Sequence, residues 1–431
     1  MNNNHQDVKK KILLIGLNYC SNYSLSLGYL KSYAMKESLL EKNAEIIIKD
    51  YCLKHSDDRG ILFDVSKVNP DFIGFSIYCW NCLQLLKIAS SIKKIINKKT
   101  YIIFGGPEAS ERSEELLKNY VFVDYIVRGE GEITFSELVT ALIDNKNLKD
   151  IKGLLYRNKN EIIVNEARSL IDNLDILPSP YLTDNIDMEN KIVYLESYRG
   201  CKYKCAYCYE RKNNNELRFF SLKRVEEEIK YLLFNKKIKC LTFTDPIFNV
   251  SKDRTINICK LLIKYNKNKI PINSVEIDTE SLDDEIINYI KKAHIESIET
   301  GPQSINKGTL QIITRSFNKQ IFCDNIRKLS SQKINVCLDL IFGLPGDNFF
   351  KYVRTIRFVL SLPSNEIHIN RLKVLPGTEI HIRKDKYNLK YEDNGTHQIL
   401  STSSFGYDEI EKADILSNSI LHEFNVHNGK I

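Results

Sequence analysis

The feature that most restricts the fold is an alternation of short apolar runs with amphipathic stretches, set out in two separate series. The first series reads KILLIGL (11–17), a helical SLGYLKSYAMKESLLEK (26–42), AEIIIKDY (44–51), DFIGFSIY (71–78), a helix over about 81–97, TYIIFGG (100–106), a helix over about 110–119 and VDYIVRG (123–129). Short apolar runs bounded by Gly, Asn and Asp are buried strands, and strands alternating with helices at this spacing imply βαβ units around a parallel sheet. The second series starts at KIVYLES (191–197) and continues with strands at about 239–245, 272–278, 295–300, 334–341 and 366–371. Helices separate them, the clearest being SLKRVEEEIKYLLFN (221–235), with Ser221 as its cap. That makes six βα units, fewer than the eight of a closed barrel. The expected fold class is therefore α/β: a Rossmann-like parallel sheet over 1–150, a connector over 151–190, a partial (β/α)6 barrel over 191–380 and a short C-terminal extension over 381–431. Within the connector, KGLLYRNKNEIIVNEAR has the pattern of a small hairpin and LPSPYLT that of an extended, proline-marked linker. The last 50 residues read as polar and irregular.

Composition narrows the setting. Of 431 residues, 43% are hydrophobic and 27% charged, which is ordinary globular material long enough for two or three domains. The net charge of +7 comes from 62 basic and 55 acidic residues, and short runs such as IKKIINKKT lie on amphipathic segments, so they read as solvated helix faces and not as a nucleic-acid surface. No apolar run approaches the roughly 18 residues of a membrane span. The N-terminus MNNNHQDVKKK is polar and reads as a short disordered lead, not a signal peptide. A cytoplasmic location is expected, with the eleven cysteines as reduced thiols. Cys240, Cys259 and Cys337 sit singly in apolar runs and read as buried structural residues.

Parallel sheets bind ligands beyond the carboxyl ends of their strands. In the first series those ends carry GLNYCSNYS, SIYCWN, GGPEAS and RGEGE, each rich in Gly, Ser, Asn or Glu. In the second series the first strand runs into ESYRGCKYKCAYCYERK (196–212), which places Cys201, Cys205 and Cys208 in a C-x3-C-x2-C spacing with no fourth cysteine nearby. Zinc prefers four tetrahedral ligands, and the nearest histidine is His294 and the next cysteine Cys240. Lys202, Lys204 and Glu210 make the stretch too polar for a buried strand. A 4Fe-4S cluster takes four ligands, so three local thiolates leave one iron open to a small chelating molecule, such as the amino and carboxylate groups of an amino-acid moiety.

The CKYKCAYC segment resembles the signature of the radical S-adenosylmethionine (SAM) enzymes, with Tyr207 in the aromatic position before the last cysteine. The resemblance covers roughly 190–380 and implies a partial barrel, a 4Fe-4S cluster on Cys201, Cys205 and Cys208, and SAM chelated at the open iron and cleaved to a 5′-deoxyadenosyl radical. It also implies roles for matching positions. Asp245 in FTDPIFN lies where the second strand approaches the SAM methionine moiety. Gln303 and Ser304 in ETGPQS match a G-x-QS segment facing the SAM carboxylate or ribose, Arg315 in IITRSF matches the arginine that follows it, and Asp339 before GLPG matches the fifth strand and its turn. By the same resemblance an external reductant such as flavodoxin or ferredoxin is expected.

The first series, from SLSLGYL through GFSIYCWN and FGGPEAS to VDYIVRGEGEITFSEL, resembles the cobalamin-binding domain that precedes many radical SAM enzymes. The implied cobalamin contacts are Ser76, Trp80, Asn81, Gly105, Gly106, Pro107, Glu108 and Glu130: glycines for close backbone approach, Trp80 for an aromatic face or edge, and Glu130 with Glu132 as acceptors for corrin amides. The Asp-x-His-x-x-Gly motif that brings a histidine to cobalt in other cobalamin proteins is absent. The reading that follows is a cobalamin-dependent C-methyltransferase, in which one SAM methylates the cobalamin and a second yields the radical. A radical cyclase or rearrangement enzyme is the alternative within the class. Two further readings are a two-cluster methylthiotransferase, using Cys20, Cys52 and Cys79 or Cys82, and a non-enzymatic cobalamin or SAM sensor. A peptide, a small metabolite and a lipid all remain compatible substrates, and no general base is assigned.

Overall fold

The computed structural model describes residues 9–427 apart from 20–22, 97–98, 160, 190, 211–215, 235–237 and 394. Residues 1–8 of the polar lead and Cys20 lie outside the described residues. The chain divides into two compact units, Met1–Asp187 and Met188–Ile431.

The first unit runs β1 (Lys10–Asn18), α1 (Leu25–Ala34), α2 (Ser38–Asn43), β2 (Ala44–Cys52), α3 (Asp58–Val68), β3 (Phe72–Ser76), α4 (Cys82–Ile95), β4 (Tyr101–Gly105), α5 (Pro107–Glu111), α6 (Ser113–Asn119), β5 (Tyr125–Val127), α7 (Gly131–Ile143), β6 (Leu154–Asn158) and β7 (Glu161–Val164). Its sheet has the order β2-β1-β3-β4-β5-β6-β7. Strands β2 through β5 are parallel, and β6 and β7 add to the edge antiparallel. Strand alternation sends Leu13, Ile15 and Leu17 into one apolar layer with Ile61, Leu85 and Leu116, and Ile12 and Leu14 into the other with Leu27, Phe135 and Leu138. Helices thus cover both faces, and strands buried on both sides must be apolar throughout, as KILLIGL is. Each fully buried Leu or Ile contributes about 1.5–3 kcal/mol. The hairpin β6–β7 extends the sheet, with Tyr125 opposite Tyr156 and Ile126 opposite Leu155, because β5 offers a free edge and Leu154 and Leu155 are fully buried there. The segment after it folds back over α1: the Tyr23 and Tyr181 hydroxyls meet at 2.8 Å.

Cys52 is disulfide-bonded, so the expectation of eleven reduced thiols fails at that position. It ends β2 beside Asn18, the last residue of β1, where two loop segments are brought side by side. Among the described residues, Cys82, Cys201, Cys205, Cys208, Cys240, Cys259, Cys323 and Cys337 are free thiols.

The second unit runs β8 (Ile192–Leu195), β9 (Tyr198–Arg199), β10 (Arg218–Phe219), α8 (Leu222–Phe234), β11 (Cys240–Phe243), α9 (Lys252–Tyr265), β12 (Val275–Glu276), α10 (Asp284–Lys292), β13 (Ser297–Gln303), α11 (Lys307–Ile312), α12 (Lys319–Ser331), β14 (Asn335–Phe342), α13 (Phe349–Leu360), β15 (Glu366–Arg371), α14 (Glu379–Ile382), β16 (Lys390–Tyr391), β17 (Ile399–Ser401) and α15 (Tyr407–His427). Strands β8 and β11 pair in parallel, β12-β13-β14-β15 form a parallel ladder, and bridges Leu241–Ile272 and Ile272–Ile295 join the two. Six parallel strands with intervening helices make the partial barrel. The amide of Arg224 is 3.2 Å from the Ser221 hydroxyl, which caps α8.

The tail departs from the irregular segment expected. Residues 407–427 form one 21-residue helix, α15. Its apolar positions Ile410 and Ala413 are fully buried, and Ser417 bonds the buried Tyr352 of α13. That i, i+3, i+7 spacing is a helix face, diluted in the sequence by many polar neighbours. The Asn425 amide also pairs with both the N–H and the carbonyl of Ile367, each at 3.3 Å, on the outer edge of β15. It satisfies backbone groups that a next strand would otherwise take. Among the described residues no helix is long and apolar enough to cross a membrane.

Candidate active site and cofactor loops

In the second unit the site grows from the exit of β8. Ser197 donates its backbone N–H (2.7 Å) and its hydroxyl (2.6 Å) to the two carboxylate oxygens of Asp245, which follows β11. Arg254 of α9 donates to the Ser197 carbonyl at 2.8 Å. Burial outweighs these bonds and pushes the Asp245 carboxyl up to about 6. The chain then turns through Gly200, whose φ of +98° and approach to the Glu216 carbonyl leave no room for a Cβ, only 2.1 Å away. Cys201, Cys205 and Cys208 follow in the loop between β9 and β10.

The middle of that loop is pinned from two sides. The Ala206 N–H donates to the Ile313 carbonyl at 2.9 Å, and the Ala206 carbonyl accepts from Ile380 N–H at 2.9 Å. Lys202 and Tyr203 both reach Asp278, at 2.9 and 2.5 Å. Arg315 points its guanidinium at the site: Nη1 lies 3.7 Å from Cys205 Sγ and 3.3 Å from Tyr207 Oη, and Nη2 donates to the Gly301 carbonyl at 2.7 Å. Burial raises the Cys201 thiol and pushes Cys208 up to about 12; Cys201 also feels the charge of Cys205, and Cys208 that of Cys205 and Cys201. Three thiols in one loop, with the Arg315 guanidinium beside Cys205, are a donor set that fits an iron–sulfur cluster, whose positive irons offset the mutual repulsion of thiolates.

The remaining positions fall nearby in different states. Gln303 ends β13 with φ +61°, just past a register shift that begins at Thr300. Ser304 is fully buried; its hydroxyl lies 3.3 Å from Asp347 Oδ2 and accepts from the N–H and side-chain amide of Asn306. Asp339 sits on β14 opposite His368 of β15, with Oδ1 3.3 Å from the imidazole Nδ1. Burial pushes its carboxyl up to about 6, against the pull of His368.

Sequence reasoning missed Ser197, Arg254, Asp278, Glu299, Asp347 and His368. The signal for one of them, His368, was present: EIHIN carries polar residues at alternate positions, so one face of that strand is polar.

In the first unit the positions read from sequence gather at the carboxyl ends of β3, β4 and β5. Ser76 closes β3. Asn81 is buried: its oxygen accepts from Tyr78 N–H at 2.8 Å and its amide donates to the Leu17 and Ser76 carbonyls at 3.1 and 3.0 Å. It therefore ties the exits of β1 and β3 together. Gly106 has φ +100°, and a Cβ there would stand 2.6 Å from the Ile77 carbonyl oxygen; Gly105 before it has ordinary space, 3.7 Å to the nearest atom. Pro107 opens α5, where its missing N–H costs nothing. Glu108 is buried against Arg112 at 2.9 Å, and Glu130 accepts the Ile171 N–H at 2.8 Å. Trp80 stacks on Tyr78 with centroids 4.3 Å apart. Its indole N–H is buried and has no partner among the described residues. A buried donor left unmatched costs free energy, so this N–H, on the loop that follows β3, fits a bound group rich in acceptors, as a corrin is.

Comparison with known proteins bears on the domains and the fold. Residues 195–359 match the radical SAM superfamily and residues 27–139 the B12 binding domain. A protein of Pyrococcus horikoshii described as an uncharacterized methyltransferase is 25% identical over 367 residues, covering 83% of this chain and 77% of the relative. The cobalamin-dependent radical SAM methyltransferase TokK of Streptomyces tokunonensis is 24% identical over 406 residues, covering 88% of this chain but only 58% of its own length. The solved structure of the radical SAM methyltransferase TsrM from Kitasatospora setae, with cobalamin and a [4Fe-4S] cluster bound, superposes with a TM-score of 0.70 at 16% identity, over 88% of this chain and 75% of that one. The chain thus carries a radical SAM domain at 195–359 and, ahead of it, a B12 binding domain at 27–139.

Proposed function

We propose that this chain is a cobalamin-dependent radical SAM methyltransferase acting on an unactivated carbon. The observation that carries the reading is the three-thiol loop at the exit of the first barrel strand, in a chain whose other unit gathers a glycine turn and an unmatched indole N–H at its own strand exits. When bound, the cluster supplies the electron that cleaves SAM and the corrinoid carries the methyl group. The residues of the chain hold and orient. Cys201, Cys205 and Cys208 ligate the cluster and leave one iron for the amino-acid end of SAM. Arg315 fixes Cys205, Tyr207 and β13 relative to one another and places a positive charge beside the thiolates. Asp245 acts on the loop through Ser197, fixing the direction in which the chain leaves β8. Gly106 lets the backbone turn come close to a flat macrocycle, and Trp80 offers its edge. A small reductant protein such as flavodoxin or ferredoxin supplies the electron from outside.

The test is an anaerobic preparation from a host supplied with cobalamin, with iron, sulfide and corrinoid quantified and 5′-deoxyadenosine measured after reduction with SAM. About four iron and about one corrinoid per chain, with SAM cleavage, are expected. About four iron without corrinoid sinks the cobalamin half of the reading. About seven or eight iron without corrinoid would instead point to a methylthiotransferase; the disulfide at Cys52 weighs against it.

A further inference from the structure

Strands β13, β14 and β15 present a polar face that the proposed chemistry leaves unused. Cys337 and Asp339 alternate on β14, and Glu366 and His368 alternate on β15. Register places Glu299, Cys337 and Glu366 on one rung and Asp339 beside His368 on the next. The intervening Val336, Leu338 and Leu340 are buried on the opposite face. Donor atoms of Cys337, Asp339 and His368 all lie within 4.8 Å of one another. His368 Nδ1 is 3.3 Å from Asp339 Oδ1 and 3.3 Å from Glu299 Oε1. Nε2, on the other side of the ring, is 3.2 Å from Glu366 Oε1.

We propose that Cys337, Asp339 and His368 form a binding site for a divalent cation of the zinc type, separate from the cysteine loop. Three arguments carry it. Metal–ligand bonds of about 2.0–2.1 Å to nitrogen and oxygen set the edge of a tetrahedron at about 3.3–3.4 Å, which the nitrogen–oxygen separations already match. The donors are one thiol, one imidazole and one carboxylate, the mixture that suits a borderline-soft ion and not magnesium or calcium. The imidazole is held from behind by Glu366, the carboxylate–histidine arrangement that orients a metal-bound ring. The buried Asp339 Oδ1 also lacks a well-directed hydrogen bond, as a ligand atom waiting for an ion would. Three protein donors leave a fourth position, which Glu299 reaches by a small rotation or water fills. Metal binding displaces the protons of the Cys337 thiol and of His368 Nδ1 to solvent. Asp339 is then a ligand of the ion and not a contact of SAM.

The experiment is metal analysis of the full-length protein, prepared anaerobically with its iron restored, dialysed against low micromolar zinc and then against metal-free buffer. About one zinc per chain beyond the iron is expected. Cys337→Ser and His368→Asn should each lose it while iron is unchanged, and the near-isosteric Glu366→Gln should weaken zinc binding about 10–100-fold. The triple variant Cys201→Ala, Cys205→Ala, Cys208→Ala should lose iron and keep zinc. No retained zinc in the parent protein overturns the site. So does zinc that survives Cys337→Ser or vanishes with the cysteine triad, which would place it in the cluster loop. Because zinc and iron are counted separately, failure here leaves the radical SAM reading standing, and failure of that reading leaves this one standing.

Discussion

The two units make opposite use of polar side chains at their strand exits. In the first, Asn81, Glu108 and Glu130 are engaged by the protein itself, with backbone carbonyls, Arg112 and the Ile171 N–H. What remains for a ligand is shape: a turn at Gly106 and the edge of Trp80. In the second, the exits concentrate groups whose ionised forms burial disfavours. Three thiols share one loop, Cys208 pushed up to about 12, and Asp245 and Asp347 are both lifted to about 6. The first surface is electrostatically at rest, whereas the second holds ionisable groups under desolvation strain, which a cluster and a charged cosubstrate would relieve.

The sharpest way to break that contrast is in the cysteine loop. Cys205→Ala should bring 5′-deoxyadenosine formation to background in a reductant and SAM assay while the corrinoid content of the first unit is kept. Retained SAM cleavage would refute the cluster assignment. Next in size is Gly106→Ala. A side chain there meets the Ile77 carbonyl in a backbone conformation reserved for glycine, so a loss of about 2–3 kcal/mol in urea unfolding is expected, with loss of corrinoid. Gly105→Ala, with ordinary space, should change stability by less than about 0.5 kcal/mol.

Electrostatic strain in the second unit has its own signature. The Asp347 carboxyl titrates near 6 in the folded protein against an ordinary 3.8, so between those values the folded state holds a proton that the unfolded chain has released. Stability from this group is therefore lost as pH rises through that window and is level above it. Asp347→Asn should flatten the fall by on the order of 1–2 kcal/mol, seen by chemical denaturation at pH 4 and pH 7. The smallest effect expected is at Trp80→Phe: stability within about 0.5 kcal/mol of the parent and a several-fold weaker hold on corrinoid, read by equilibrium dialysis. Unchanged retention would remove the indole N–H from the contrast.

How much of this was legible depends on the range of the interaction. Strands such as KILLIGL announce themselves because burial on both faces demands an unbroken apolar run, and Cys201, Cys205 and Cys208 because their spacing is local. Ser197 and Asp245 are 48 positions apart, and Glu299 and His368 are 69 apart. Their partnership exists only once parallel strands have set the register. Arg315 could be matched to a pattern, but its bond to Cys205 spans 110 positions and follows from tertiary structure alone. The tail was misread for a related reason. Helix α15 is held by a few buried positions and by one asparagine addressed to a strand edge, which no local periodicity reveals.

That asparagine has a consequence for how the chain folds. The edge of β15 is complete at Arg371, but its cover begins only at Tyr407 and its backbone cap comes at Asn425. Any state in which that cover has not yet docked carries an open, hydrogen-bond-hungry strand, so removing residues 407–427 should raise aggregation on refolding far more than removing the cap alone with Asn425→Ala.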